Sequence, residues 1–163
     1  MTEISAEPVA VPRGGAPSSL ATVYAAEHDG LARLACLLTG STLVAEDVVH
    51  DAFVQLQQRW STIQRPGAYL RTAVVNGCRG YHRKLRRERA SYADLVSTAT
   101  MPETPLVLDV LARLPYHQRA ALVLRFYADW PDEQIAEHLG CRPATVRSHV
   151  HRGLEAMRKV LTP

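Results

Sequence analysis

The sequence has 163 residues, a formal net charge of +3 and a hydrophobic fraction of 47%, but only 6% aromatic residues. We therefore expect most of the chain to fold around an aliphatic core. The longest apolar runs, such as residues 120–124, are too short to span a bilayer, and the N-terminus lacks the apolar segment of a signal peptide. Three cysteines without a CxxC motif fit a reducing cytoplasm and argue against a disulfide framework.

The first half of the chain predicts a disordered tail followed by helices. Residues 1–19 are rich in Pro, Gly, Ala and Ser, which is typical of disorder. A first helix that stops at Gly40 is predicted by apolar residues three or four positions apart: Leu20, Val23, Tyr24, Leu31, Leu34, Ala35 and Leu38. A second helix begins after Ser41 or Thr42, and its expected apolar stripe consists of Val44, Val48, Ala52 and Leu56, with Val49 and Phe53 beside it.

A third helix is predicted from about Ala68, after the loop that Pro66 and Gly67 indicate. The helical pattern fades over residues 89–105, where small and polar residues with two prolines indicate a linker. Four more helices follow; few segments show the alternation of a strand, and none is bounded like a hairpin. The sequence therefore predicts an all-α fold of two small helical domains.

Positive charge is concentrated in two segments. Residues 76–90 contain six Arg and Lys against one Glu, and a second basic series runs from Arg142 to Lys159. Two separated basic segments indicate two contacts with a polyanion, most simply nucleic acid. Two solvated helix faces would give the same pattern, so charge alone leaves both interpretations open.

The strongest local pattern, residues 132–154, is typical of a helix-turn-helix motif. Ile135, Ala136 and Leu139 lie on one face of a helix that ends at Gly140, and Pro143 opens the next helix. The second helix would bury Val146, Val150 and Leu154. Its polar side chains would face outward and could enter the major groove of DNA: Arg142, Thr145, Arg147, Ser148, His149 and Arg152. The alternative is an ordinary helical hairpin.

The order of these motifs resembles the extracytoplasmic-function group of bacterial RNA polymerase sigma factors, in particular the small actinobacterial factors called SigE-like. "AEDVVHDAFVQLQQRW" and "PGAYLRTAVVNGCRGYHRKLRR" resemble region 2, and residues 111–161 resemble region 4. The resemblance implies a tail (1–19), region 2 (20–88), a linker (89–105) and region 4 (106–163). It also implies binding to core RNA polymerase and promoter DNA, together with an anti-sigma partner.

The resemblance assigns roles to three groups of residues. Core polymerase would contact the second helix through Glu46, Asp47, Asp51 and Gln55. The minus-ten element would be read beside residues 61–67, with Asn76 on a flipped base, the phosphates on Arg79, Arg83, Lys84, Arg86 and Arg87, and Tyr81 stacked on a base or packed in the core. The minus-thirty-five element would be read by Arg142, Thr145, Arg147, Ser148 and His149, with Arg152 on phosphate.

Two positions depart from the family pattern. Arg142 stands where many relatives have a Ser that caps the recognition helix, and Pro131 stands where a Ser or Thr often begins the preceding helix. Both departures leave the fold intact, but they prevent the promoter sequence from being carried over from relatives.

Other classes of protein explain less of the sequence. Cys78 and His82 are four residues apart, a spacing that can bind zinc, but no matching pair accompanies them, so we expect no metal and no other cofactor. No phosphate-binding Gly-rich loop, GxSxG or HExxH motif suggests an enzyme. Two alternatives remain: a helix-turn-helix regulator that acts without polymerase, and an interaction-only sigma relative. We expect a cytoplasmic, non-enzymatic sigma factor, associated with the nucleoid through polymerase.

Overall fold

The structure is a computed structural model, and it describes residues 19–91 and 106–162. The predicted tail, apart from Ser19, and residues 92–105 of the predicted linker lie outside the described residues. Within them every regular element is an α-helix, which confirms the predicted all-α fold. The helices are α1 (Leu20–Thr39), α2 (Thr42–Gln58), α3 (Pro66–Ser91), α4 (Leu106–Arg113), α5 (Tyr116–Phe126), α6 (Asp132–Leu139) and α7 (Pro143–Leu161).

Helices α1, α2 and α3 pack against one another as the first group. The Ser19 and Ser41 side chains accept hydrogen bonds from backbone N–H groups in the first turns of α1 and α2, which explains why these helices begin there. Gly40 ends α1 with a left-handed φ of 74°, as predicted. The predicted apolar faces need two corrections. Tyr24 is exposed, and the buried face of α2 centres on Ala45, Val49, Ala52, Phe53 and Leu56, because Val44 and Val48 lie at its edge.

Helices α4 to α7 form the second group, in which α5 packs against both α6 and α7. Gly140, with φ of 65°, makes the turn between α6 and α7, and Val146 and Val150 are buried as predicted. Leu154 was predicted to be buried but is 44% exposed. Gly153 instead faces the core, where a Cβ atom would lie 2.7 Å from Leu122 Cδ1, so α7 approaches α5 too closely for a side chain there.

The two groups also contact each other, since α1 packs against α4 and α5. Their buried side chains belong to one continuous hydrophobic cluster. The tip of the Tyr127 side chain donates a hydrogen bond across the contact to the Gly30 carbonyl (3.3 Å). Helix α3 also reaches the second group, because His82 Nε2 lies 3.1 Å from Arg119 Nη2 of α5, and the basic helix therefore lies beside the helix-turn-helix group.

Candidate polymerase and nucleic-acid interfaces

The acidic residues of α2 are exposed but do not all share one face. Successive residues of a helix are rotated by 100°, so Asp47, Asp51 and Gln55 fall within an arc of about 80°. Glu46 lies about 100° from Asp47, toward α1, where His28 Nε2 is 3.3 Å from its carboxylate. The His28 ring also stacks on Tyr24, with 4.7 Å between ring centroids. Sequence reasoning missed this pairing because it joins residues 18 positions apart.

Helix α3 carries the basic residues of the first group on one side. Asn76, Arg79, Arg83 and Arg87 recur at intervals of three and four, which places them in a stripe along the helix. Lys84 and Arg86 flank this stripe. All of these side chains are exposed except Arg79, which is half-buried. Such a row of guanidinium groups suits the regularly spaced phosphates of a nucleic-acid strand.

Tyr81 does not join that stripe. It lies on the opposite side of α3, half-buried, with its ring edge-on to His82 at 5.4 Å. The predicted pocket-edge segment, residues 61–67, is a turn that already enters α3 at Pro66, two residues earlier than predicted. Ser61, Thr62 and Gln64 in this turn are exposed.

His82 and Arg119 form the polar centre of the contact between the two helix groups, which we name the α3–α5 seam (Leu38, His82, Ala112, Tyr116 and Arg119). His82 Nε2 lies 2.8 Å from the Leu38 carbonyl and 3.1 Å from Arg119 Nη2. A carbonyl can only accept, so the short contact places the proton on Nε2. Arg119 Nη2 then faces a second donor, and the guanidinium has one clear acceptor, the Ala112 carbonyl at 3.1 Å.

Burial governs the ionisation of the α3–α5 seam. Desolvation lowers the pKa of His82 to about 4, so this ring is neutral at physiological pH. Arg119 is only 5% exposed, and its Nε has no hydrogen-bond partner. No carboxylate of the described residues pairs with it, although a buried cation is normally paired. The seam therefore holds an uncompensated positive charge.

The cysteines offer no activated thiol. Burial raises the pKa of Cys78 to about 12, and burial also raises the pKa values of Cys36 and Cys141. Cys78 and His82, the pair with zinc-like spacing, are both buried in the seam region. No group of three or more His, Cys, Asp or Glu in the described residues could hold a metal ion.

The outer face of α7 carries the predicted reading residues. A shallow, open groove there is lined by residues of α7 alone: Ala144, Arg147, Ser148, His151 and Arg152. Sequence reasoning missed His151, although its spacing from Arg147 and Ser148 places it on the same face. Arg142 occupies the N-cap position of α7 without a side-chain cap, as does Pro131 for α6, which agrees with both departures noted in the sequence.

Thr145 and His149 lie at the side of this groove. His149 is half-buried, with its ring centroid 5.5 Å from that of His117 on α5. Desolvation lowers the pKa values of both histidines, and the Arg79 and Arg86 charges on α3 lower the pKa of His117 further. The predicted minus-ten helix and the edge of the predicted minus-thirty-five helix are therefore neighbours in this structure.

Asp132, the first residue of α6, joins the groove to the interior of the helix-turn-helix group. Its two carboxylate oxygens are each 2.9 Å from Arg125 Nη2, and Oδ2 is 3.7 Å from Arg147 Nη1. The Asp132 side chain is 14% exposed, whereas that of Arg147 is 61% exposed. One nearly buried carboxylate thus contacts both an inner and an outer arginine.

None of the helices in residues 19–91 and 106–162 is long and apolar enough to cross a membrane. This finding concerns only the part of the chain that the structure describes.

Comparison with known proteins gives the family. Models of sigma-70 region 2 and sigma-70 region 4 match residues 23–88 and 106–157. An RNA polymerase sigma-E factor of Streptomyces coelicolor is 31% identical, over 82% of this chain and 81% of the relative. The sigma factor SigL of Mycobacterium tuberculosis is 28% identical, over 90% and 93%.

Among solved structures, the sigma factor RpoE in complex with the anti-sigma factor NepR, from Bartonella quintana, is similar in fold. The TM-score is 0.64 at 22% identity, and the match covers 82% of this chain and 90% of that one. Sigma factors bind core RNA polymerase and direct it to promoter DNA, and the family as such is non-catalytic. The chain belongs to the sigma-70 family of RNA polymerase sigma factors, among members of the extracytoplasmic-function type.

Proposed function

We propose that this sigma factor reads its promoter through two surfaces, the basic stripe of α3 and the outer groove of α7. The observation that carries the proposal is the placement of these surfaces on two helix groups separated by residues 92–105. Region 2 would comprise residues 20–88 and region 4 residues 106–163, with 89–105 as the linker. Promoter reading would then divide into two elements, one for each group.

At the minus-ten element, Asn76 would hydrogen-bond an extruded base, since an amide offers both donors and an acceptor. The strand's phosphates would lie on the neighbouring cations Arg79, Arg83, Lys84, Arg86 and Arg87. Tyr81 would pack inside region 2, because it lies on the opposite side of α3 from Asn76. At the minus-thirty-five element, bases and phosphates would be contacted from the groove and its edge by Arg142, Thr145, Arg147, Ser148, His149 and Arg152.

Core polymerase would dock on the exposed face of α2. Asp47, Asp51 and Gln55 form a face suited to a basic partner surface. Glu46 would contribute from its edge, with its carboxylate oriented by His28. A pair of charge reversals, at Asp47 and Asp51, would weaken binding to core polymerase while leaving the fold unchanged.

Reading both elements together would require the two helix groups to separate. Elements about 25 base pairs apart are about 85 Å apart on straight duplex DNA, at about 3.4 Å per pair. A compact body of about 130 residues is only about 35–40 Å across. Fourteen residues, the number between α3 and α4, have a maximum reach of about 50 Å, which is enough to bridge the difference. The α3–α5 seam would therefore open when promoter DNA binds to the holoenzyme.

Two further parts of the proposal rest on the family. The chain itself would carry out no catalysis and would leave nucleotide chemistry to the polymerase, in the cytoplasm and at the nucleoid. An anti-sigma protein would bind and sequester it; the sigma factor RpoE of Bartonella quintana forms a complex with the anti-sigma factor NepR. Co-expression of the chain with candidate regulators, followed by loss or retention of transcription, would test this partner.

The test of the proposed function is run-off transcription on fragmented genomic DNA with sigma-free core polymerase. We expect transcripts whose start sites share a two-part upstream element only when the chain is added. Tight binding of the chain alone to duplex DNA, without such transcripts, would support a helix-turn-helix regulator instead. Binding to polymerase with neither result would support an interaction-only protein.

A further inference from the structure

We infer that Asp132 is a positioning residue that restrains Arg147 and thereby sets how selectively the α7 groove reads DNA. This inference deepens the proposed function and rests on it, since it concerns the same groove. Asp132 lies outside the groove itself and belongs to α6, not to the recognition helix.

The Asp132 carboxylate is held in place before any DNA binds. Both of its oxygens contact Arg125 Nη2 at 2.9 Å, and its side chain is 14% exposed. Its position in the first turn of α6 is favourable for a negative charge, because the helix dipole is positive at that end. The carboxylate therefore loses little additional freedom when it attracts a second arginine.

That second arginine is Arg147, whose Nη1 lies 3.7 Å from Asp132 Oδ2. An exposed arginine without a restraint can turn toward any nearby phosphate, and phosphate contacts carry no direct sequence information. A base contact by arginine needs a defined direction, since the guanidinium must meet two acceptors at once. By restraining the Arg147 guanidinium at Nη1, Asp132 would favour a directed base contact over nonspecific phosphate binding.

The same geometry gives Arg125 an opposing effect. Arg125 neutralises Asp132 from the inner side, with its own side chain 32% exposed. If Arg125 were uncharged, the whole attraction of the carboxylate would act on Arg147, which would be held more firmly against α6. Loss of Asp132 and loss of Arg125 should therefore change DNA binding in opposite directions.

The experiment uses the reconstituted holoenzyme on a cognate promoter and on a set of templates with single base changes in the minus-thirty-five element. We expect Asp132→Asn to raise affinity for the altered templates and to lower discrimination at the position read by Arg147 by about 2- to 5-fold. Arg125→Gln should lower affinity for all templates that contain the element. Glu133→Gln removes the same charge from the same turn of α6 and should leave discrimination unchanged, because Glu133 is exposed and Arg147 pairs with the Asp132 carboxylate instead.

A double-mutant cycle separates positioning from general loss of structure. In an Arg147→Ala background, Asp132→Asn should have no further effect on discrimination, because the residue through which it acts is gone. Equal effects of Asp132→Asn in both backgrounds, or unchanged discrimination in the wild-type background, would overturn the inference. If the wild-type holoenzyme itself ignored changes in this element, the proposed function of the α7 groove would fail first.

Discussion

Acidification should destabilise this protein well above the pH at which carboxylates titrate, because two histidines are buried in the neutral form. Desolvation lowers the pKa values of both His82 and His138 to about 4, against about 6.5 in an unfolded chain. The unfolded state therefore binds protons first as the pH falls. The contribution of these two rings to the free energy of unfolding is present above about pH 6.5 and is lost progressively between pH 6.5 and pH 4.

The magnitude follows from the two pKa values. At pH 5 a histidine with a folded pKa of about 4 and an unfolded pKa of about 6.5 reduces the free energy of unfolding by about 2 kcal/mol, and at pH 7.5 by less than about 0.1 kcal/mol. Two such residues give a loss of about 4 kcal/mol, which is a large part of the stability of a small domain.

Urea unfolding followed by far-UV circular dichroism at pH 7.5, 6.5, 5.5 and 5.0 measures this loss. His82→Gln keeps a donor for the Leu38 carbonyl but does not titrate, so it should remove about half of the pH dependence. The exposed His50 provides the matched control, and His50→Gln should leave the slope unchanged. A free energy of unfolding that stays level from pH 7.5 to pH 5.0 would refute the burial argument for both rings.

Four shorter predictions test the seam, the packing and the two reading surfaces. Arg119→Met should raise the free energy of unfolding by about 1 kcal/mol in urea titrations, because an uncompensated buried cation is replaced by an apolar side chain. Gly153→Ala should lower it by about 1–3 kcal/mol, seen as a lower Tm, because the new Cβ meets Leu122. Asn76→Ala should impair open-complex formation, measured by permanganate footprinting, with core binding unchanged. Arg147→Ala should weaken minus-thirty-five recognition by about 1–3 kcal/mol. An unchanged preference among mutated elements would show that Arg147 is a solvent-exposed residue that reads no base.

Local sequence information was sufficient for most of the fold. Apolar spacing and the glycines at 40 and 140 located the helices, since these signals act within a few residues of where they are read. The helix-turn-helix was recognisable for the same reason. Leu154 was wrongly predicted to be buried. Spacing along one helix does not reveal that α5 approaches α7 at Gly153.

The sequence by itself determined an all-α chain with two basic helices, an acidic helix and the order of two sigma regions. Only the tertiary structure decided that His82 meets Arg119, that Glu46 faces His28 and that Asp132 joins Arg125 to Arg147. The physical reason is that helix periodicity is set by neighbours along the chain, whereas the ionisation and orientation of a side chain depend on groups that packing brings near it. Those groups lie 7 to 37 residues away in these three cases.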